Sequence, residues 1–99
     1  MSLLEISVVP VGTGSASFSS QVAEAVQLIE QKGMKYQVTP TATIIEGSLD
    51  ELMDMAKEIH KKALGNGTNR VITNISIDDR TDKTLDMKQQ VDIVHQSVH

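Results

Sequence analysis

Three features of the sequence predict a four-stranded antiparallel sheet with two helices packed on one face. Segments with strand-like and helix-like apolar spacing follow one another in the order β-α-β-β-α-β. The second half weakly repeats the first: a strand from Thr41 stands where the first half has a strand from Leu3, and each is followed by a helix and another strand. A third helical pattern comes after the last strand. This order specifies an α+β, ferredoxin-like βαββαβ sandwich with an extra C-terminal helix. Right-handed crossovers then put the first and third strands at the centre of the sheet.

Each element has its own signal. In "LLEISVVP" (Leu3–Pro10), Leu4, Ile6 and Val8 point one way and Glu5 and Ser7 the other, the alternation of a half-buried strand. From Ser20 the apolar positions Val22, Ala25, Val26 and Ile29 have helical spacing, with Ser19 or Ser20 as N-cap and Gly33 as the stop. "KYQVT" (Lys35–Thr39) and "TATIIEG" (Thr41–Gly47) are β-prone and separated by Pro40, which reads as a hairpin. Ser48 and Glu51 form a capping box. Behind it, Leu52, Met55, Ala56, Ile59 and Ala63 make a second amphipathic helix that ends at Gly65 and Gly67. In "RVITNISID" (Arg70–Asp78), Val71, Thr73, Ile75 and Ile77 face one way and Arg70, Ile72, Asn74 and Ser76 the other. After the charged turn "DDRTDK", the residues Met87, Val91, Val94 and Val98 place a third helix over Leu85–Val98.

With helices on one side, the other sheet face is bare. The expected residues there are Glu5, Ser7 and Val9 from the first strand, Thr43 and Ile45 from the third, and Arg70, Ile72, Asn74 and Ser76 from the fourth. Val9, Ile45 and Ile72 would then be exposed together, and apolar residues gathered in that way mark an interface.

Composition narrows the function. The 99 residues suit one domain over 1–99. Phe18 and Tyr36 are the only aromatics, so the core is aliphatic, and a small aliphatic core favours added burial through self-association. A net charge of −4 with mixed signs argues against a nucleic-acid partner. The outward positions of the central strands also lack the aromatics on which RNA-recognition sheets stack bases. There is no cysteine, which excludes disulfides, thiolate metal sites and cysteine nucleophiles. No stretch reaches the length of a membrane span and no signal-peptide pattern is present, so a cytoplasmic protein without a membrane partner is expected.

The Gly-Thr-Ser loop after the first strand invites a phosphate-site reading, which fails on spacing. After Gly12 and Gly14 the next lysine is Lys32, and Ser17 stands where a dinucleotide fingerprint needs a third Gly. Neither Ser15 nor Ser17 has the flanking glycines of a nucleophile elbow. Two readings remain. In one, the glycines turn the chain and the serines cap the helix. In the other, the loop is functional: "EGSLD" makes the equivalent junction of the second half in far fewer residues, and a long connection offering Thr13, Ser15, Ser17 and Ser19 suits a small polar heterocycle or an anion. Glu5, a carboxylate on a half-apolar face, needs a partner such as Arg70 or a ligand. Glu46 reads as helix-start electrostatics or as a contact for a cation. His60, His95 and His99 are too dispersed for a metal site, and His60 reads as a solvated helix residue. Asp78 and Asp79 read as turn formers. No metal or cofactor is implied.

Taken together, "EISVVPVGTGS", "YQVTPTATIIEG" and "RVITNISIDDR" resemble the signature stretches of the small thiamine-binding protein family, over nearly the whole chain. The matching positions include Pro10, Gly12, Thr13, Gly14, Pro40, Thr43, Glu46 and Gly47. The resemblance implies a ferredoxin-like fold, a homo-oligomer that is usually a tetramer built from dimers, and binding of thiamine or its hydroxymethylpyrimidine precursor without catalysis. The residues fit that use. Glu5, Ser7, Thr13, Ser15, Thr43, Glu46 and Asn74 are the candidate ligand-binding set: hydroxyls and an amide for an aminopyrimidine, carboxylates for a thiazolium. Phe18 is the one aromatic near the loop. The expected function is a non-catalytic intracellular carrier or sensor. The alternative is a structural or regulatory homo-oligomer with no small-molecule ligand, its bare sheet face buried against another sheet. An enzyme is a third class, with no base–nucleophile pair to support it.

Overall fold

A computed structural model describes residues 1–11, 18–65, 69–81, 87–88 and 91–92. The elements are β1 (Ser2–Pro10), α1 (Phe18–Gln31), β2 (Lys35–Val38), β3 (Thr43–Gly47), α2 (Leu49–Leu64) and β4 (Val71–Asp78). All pairings are antiparallel, in the spatial order β2-β3-β1-β4. β1 and β3 are therefore central, as the crossover rule requires.

The alternation of β1 sets the layers. Leu4, Ile6 and Val8 are buried beneath the two helices, together with Ala25 and Ile29 of α1 and Leu52, Met55, Ala56, Ile59 and Ala63 of α2. Fully burying an aliphatic side chain of this size is worth about 1.5–3 kcal/mol. Pro10 faces Val71, while its neighbour Val11 donates its N–H to the Arg70 carbonyl at 2.9 Å. Bonded pairs alternate along an antiparallel ladder, so Pro10 sits where β4 asks for no donor.

Both helices end as their sequences dictate. At the end of α1, Gly33 adopts φ +68, its N–H reaches the Glu30 carbonyl at 3.0 Å, and the Met34 N–H reaches Ile29 at 3.2 Å. This is a Schellman closure, and Met34 packs against the core as the apolar residue after it. α1 is already helical at Phe18, so Ser19 and Ser20 lie inside the helix and not at its cap. The capping position, the residues Gly12, Thr13, Gly14, Ser15 and Ser17, the glycine at Gly67, and His95 and His99 all lie outside the described residues. Of the helix expected over Leu85–Val98, residues 87–88 and 91–92 are helical and the others lie outside the described residues.

At the start of α2, the Glu51 carboxylate accepts from the Ser48 hydroxyl at 2.8 Å and from the Ser48 N–H at 3.3 Å. The Ser48 Oγ in turn accepts from the Glu51 N–H at 3.3 Å. The hydrogen bonds from the Ser48 side chain and backbone hold the Glu51 carboxyl below its usual 4.5. A lowered folded value means the contribution is present above the ordinary carboxylate range and is lost as pH falls through the folded value. Ser48→Ala is expected to cost about 1 kcal/mol in urea unfolding at neutral pH. The gap from the parent should narrow in acid.

The β2–β3 connection closes through Thr39. Its N–H donates to the Ala42 carbonyl at 2.8 Å, and its Oγ1 accepts from the Ala42 N–H at 3.1 Å. His60 is a correction to the expected solvated residue. It is half-buried, with Nδ1 2.7 Å from the Thr73 Oγ1, tying α2 to β4. Asp79 accepts from the Ser2 hydroxyl at 2.7 Å, fastening the end of β4 to the start of β1.

The register overturns one face assignment. Leu4 pairs with Ile45 and Ile6 with Thr43, so Thr43 and Ile45 point to the helix side and not to the bare face. Both are buried, at 3% and 0% exposure. Ile44 and Glu46 take the open positions instead. Tyr36 lies opposite Ile45 on the helix side.

Candidate functional site

The open face is ordered in rows across the sheet. Lys35, Glu46, Leu3 and Asp78 form one row, and Gln37, Ile44, Glu5 and Ser76 the next. Ser7 then lies beside Asn74, and Val9 beside Ile72. Four of the expected site residues, Glu5, Ser7, Glu46 and Asn74, therefore share this face. Thr43 is on the opposite side of the sheet, and Thr13 and Ser15 lie outside the described residues.

Glu46 is the unusual member. It is only 8% exposed, and among the described residues no hydrogen bond or ion pair reaches its carboxylate. Lys35 is its cross-strand neighbour but makes no ion pair with it. A carboxylate withdrawn from water without a partner is costly, and a bound cation or donor would offset that cost. Glu46 lines a groove of ≈ 580 Å³ together with Lys35, Tyr36 and Gln37 of β2 and Met87 and Val91 of the terminal segment. That volume lies within the roughly 300–1,000 Å³ range of small-molecule sites. Tyr36 borders the groove from the edge strand, while its side chain lies on the helix side against the core.

Glu5 is exposed and has Ile44 and Ser76 as cross-strand neighbours. Arg70, considered as its partner, stands six positions from Ser76 along β4, roughly 20 Å away. The pair does not form. Glu5 and Glu46 lie diagonally across adjacent strands, a spacing of roughly 7–8 Å. This end of the face therefore carries three carboxylates, Glu5, Glu46 and Asp78, beside the apolar Leu3 and Ile44.

A second, smaller cleft lies on the helix side, where Gln21 of α1 and Thr43 of β3 are buried at 7% and 3% exposure among Ile6, Val8, Val22 and Ala25. Its volume of ≈ 20 Å³ accommodates one water and nothing larger. Sequence reading missed Gln21, although it lies one turn before Ala25 and two before Ile29, on the core-facing stripe. Among the described residues no cluster of three or more His, Asp or Glu side chains could hold a metal ion. No described helix is long and apolar enough to cross a membrane.

Comparison with known proteins places this geometry in a family. A family model described as "Thiamine-binding protein" matches residues 4–95. The UPF0045 protein YqgV of Bacillus subtilis is 35% identical over 99 residues, covering 96% of this chain and 95% of the relative. A UPF0045 protein of Staphylococcus xylosus is 41% identical over 98 residues, covering 95% and 92%. Among solved structures, a hypothetical protein of Methanocaldococcus jannaschii superposes with a TM-score of 0.85 at 28% identity, over 95% of both chains. A Thermotoga maritima protein, a candidate for thiamine biosynthesis or salvage, superposes with a TM-score of 0.79 at 26% identity, over 94% of this chain and 97% of its own. With the sheet order, the helix layer and nearly the whole sequence in agreement, this chain belongs to the thiamine-binding protein family.

Proposed function

We infer that the protein is a non-catalytic binder of thiamine or a related hydroxymethylpyrimidine, acting as a carrier or sensor in the cytoplasm, and that it works as a homo-oligomer. The observation that favours this reading is the buried Glu46 carboxylate, without a partner among the described residues, in a groove of ligand size. A thiazolium beside Glu46 supplies the missing positive charge, with the apolar Leu3 and Ile44 as nearby floor. Glu5 adds negative potential one row away. A pyrimidine directed along β1 approaches Ser7 and Asn74, whose hydroxyl and amide offer both donors and acceptors. Those two lie about 13 Å from the Glu46 row, four residues along the strand, within reach of an extended two-ring molecule. Thr13 and Ser15, which come after β1 in the chain, are proposed as further polar contacts for the ligand.

Calorimetric titration with thiamine and with hydroxymethylpyrimidine tests the reading. Saturable heat with either compound is the expected result; no heat from either at millimolar concentration rejects it. One observation favours the ligand-free oligomer instead: Val9 and Ile72 lie side by side on the open face, each 46% exposed. On that reading the whole face is covered by another copy and neither compound binds.

A further inference from the structure

We propose that the Glu46 groove takes thiamine as its phosphate monoester, Lys35 and Lys88 receiving the phosphate while Glu46 holds the thiazolium. The placement of the ring rests on the preceding reading, and the phosphate goes beyond it.

Glu46 and Lys35 stand directly opposite each other on β3 and β2, with Cα atoms about 4.5–5.5 Å apart. A carboxylate and an ammonium at that spacing are close enough to pair. Here Glu46 is buried and Lys35 exposed, both line the groove, and no ion pair joins them. Lys88 of the terminal segment lines the same groove, is exposed, and has no ion-pair partner among the described residues. Two lysines from separate parts of the chain thus flank one buried carboxylate. Asp92, one turn on from Lys88, is the fourth charged group of the lining, so two cations and two anions leave the groove without net charge. A bare cation answers one half of that set. A ligand carrying both signs answers both.

The open face is polarised in the same sense. In the row Lys35, Glu46, Leu3 and Asp78, the ammonium stands at the β2 edge and the carboxylates lie toward the centre and the β4 edge. Three strand spacings, about 14 Å, separate the two ends. In thiamine the hydroxyethyl arm leaves the thiazolium on the side away from the pyrimidine. With the pyrimidine directed toward Ser7, the arm points to the Lys35 end of the groove. Its phosphate ester carries a charge of about −1.5 to −2 at neutral pH and three strong acceptor oxygens. Lysine ammoniums hold such a group as point charges with rotatable donors. The free alcohol of thiamine leaves both lysines without a counter-ion.

Calorimetric titration of the parent chain with thiamine and with thiamine monophosphate is expected to show the ester binding about tenfold more tightly. In the double variant Lys35→Gln, Lys88→Gln the preference should fall to within about threefold, with the affinity for thiamine itself changed by less than about threefold. The control Lys61→Gln, Lys62→Gln removes the same charge from α2 outside the groove and should keep the preference. The advantage of the ester should shrink as salt is added. Circular dichroism verifies that each variant is folded. Thiamine binding as tightly as its ester, or a preference that survives the groove substitutions, overturns the proposal and leaves the thiamine reading standing. A preference that the control removes as fully as the groove pair reports net charge alone and overturns it as well. If neither compound binds, the thiamine reading falls and the phosphate site with it.

Discussion

Ile45→Ala is expected to lower the unfolding free energy by about 2–5 kcal/mol. Ile45 is fully buried and stands between Leu4 and Tyr36 in the sheet, under the helices. Truncation removes the transfer energy of three carbons and leaves a cavity that Leu4, Ile29 and Leu52, all fully buried, cannot readily fill. Domains of this size are stable by only about 5–15 kcal/mol, so a large share of the total is lost. The midpoint temperature should fall by roughly 10 °C or more, since 1 kcal/mol corresponds to about 4–8 °C in a domain of this size. Ile44→Ala, one residue away on the open face and half-buried, should cost about 1 kcal/mol. Chemical denaturation of the two variants side by side reads the parity of β3 directly. Equal losses, or a larger loss at Ile44, would mean that the β1–β3 register is shifted by one residue.

Glu46→Gln is expected to weaken thiamine binding by about 10–100-fold, the equivalent of the roughly 1.5–3 kcal/mol carried by a hydrogen bond to a charged group. Binding of neutral hydroxymethylpyrimidine should change by no more than about threefold. Without ligand, stability should hold or rise, because the substitution removes a carboxylate that is buried without a partner among the described residues. This combination separates a ligand role from a structural one. A structural carboxylate would lose stability when neutralised and would affect both ligands alike. Calorimetry for the two compounds and a urea titration for the variant supply all three readings.

The sandwich was legible because its punctuation is local. Gly33 needs a left-handed conformation, Ser48 and Glu51 close on each other across one turn, and β1 alternates without ambiguity from Leu3 to Val9. The face of β3 was not legible. Ile44 and Ile45 are adjacent and equally apolar, so a period of two fits either parity, and only pairing with Leu4 decides between them. The same slip hid the burial of Glu46, although the residue itself stood among the candidates for a cation contact. Read as part of a helix start it belongs to solvent; placed by register it lies between Lys35 and Leu3 and is buried. The groove is non-local as well, since Glu46, Tyr36 and Met87 meet only once β2 and the terminal segment are in place. Gln21 could have been found from helical spacing alone, had a polar residue been allowed on a core stripe.

Two-dimensional NMR of the labelled protein, titrated with thiamine, tests most directly whether the ligand lies on the open face. The expected result is saturable shifts of the Lys35, Gln37, Ile44 and Glu46 amides, extending along β1 toward Ser7. Shifts confined to Gln21, Val22 and Thr43 beneath the helices, or no shifts at all, would contradict it.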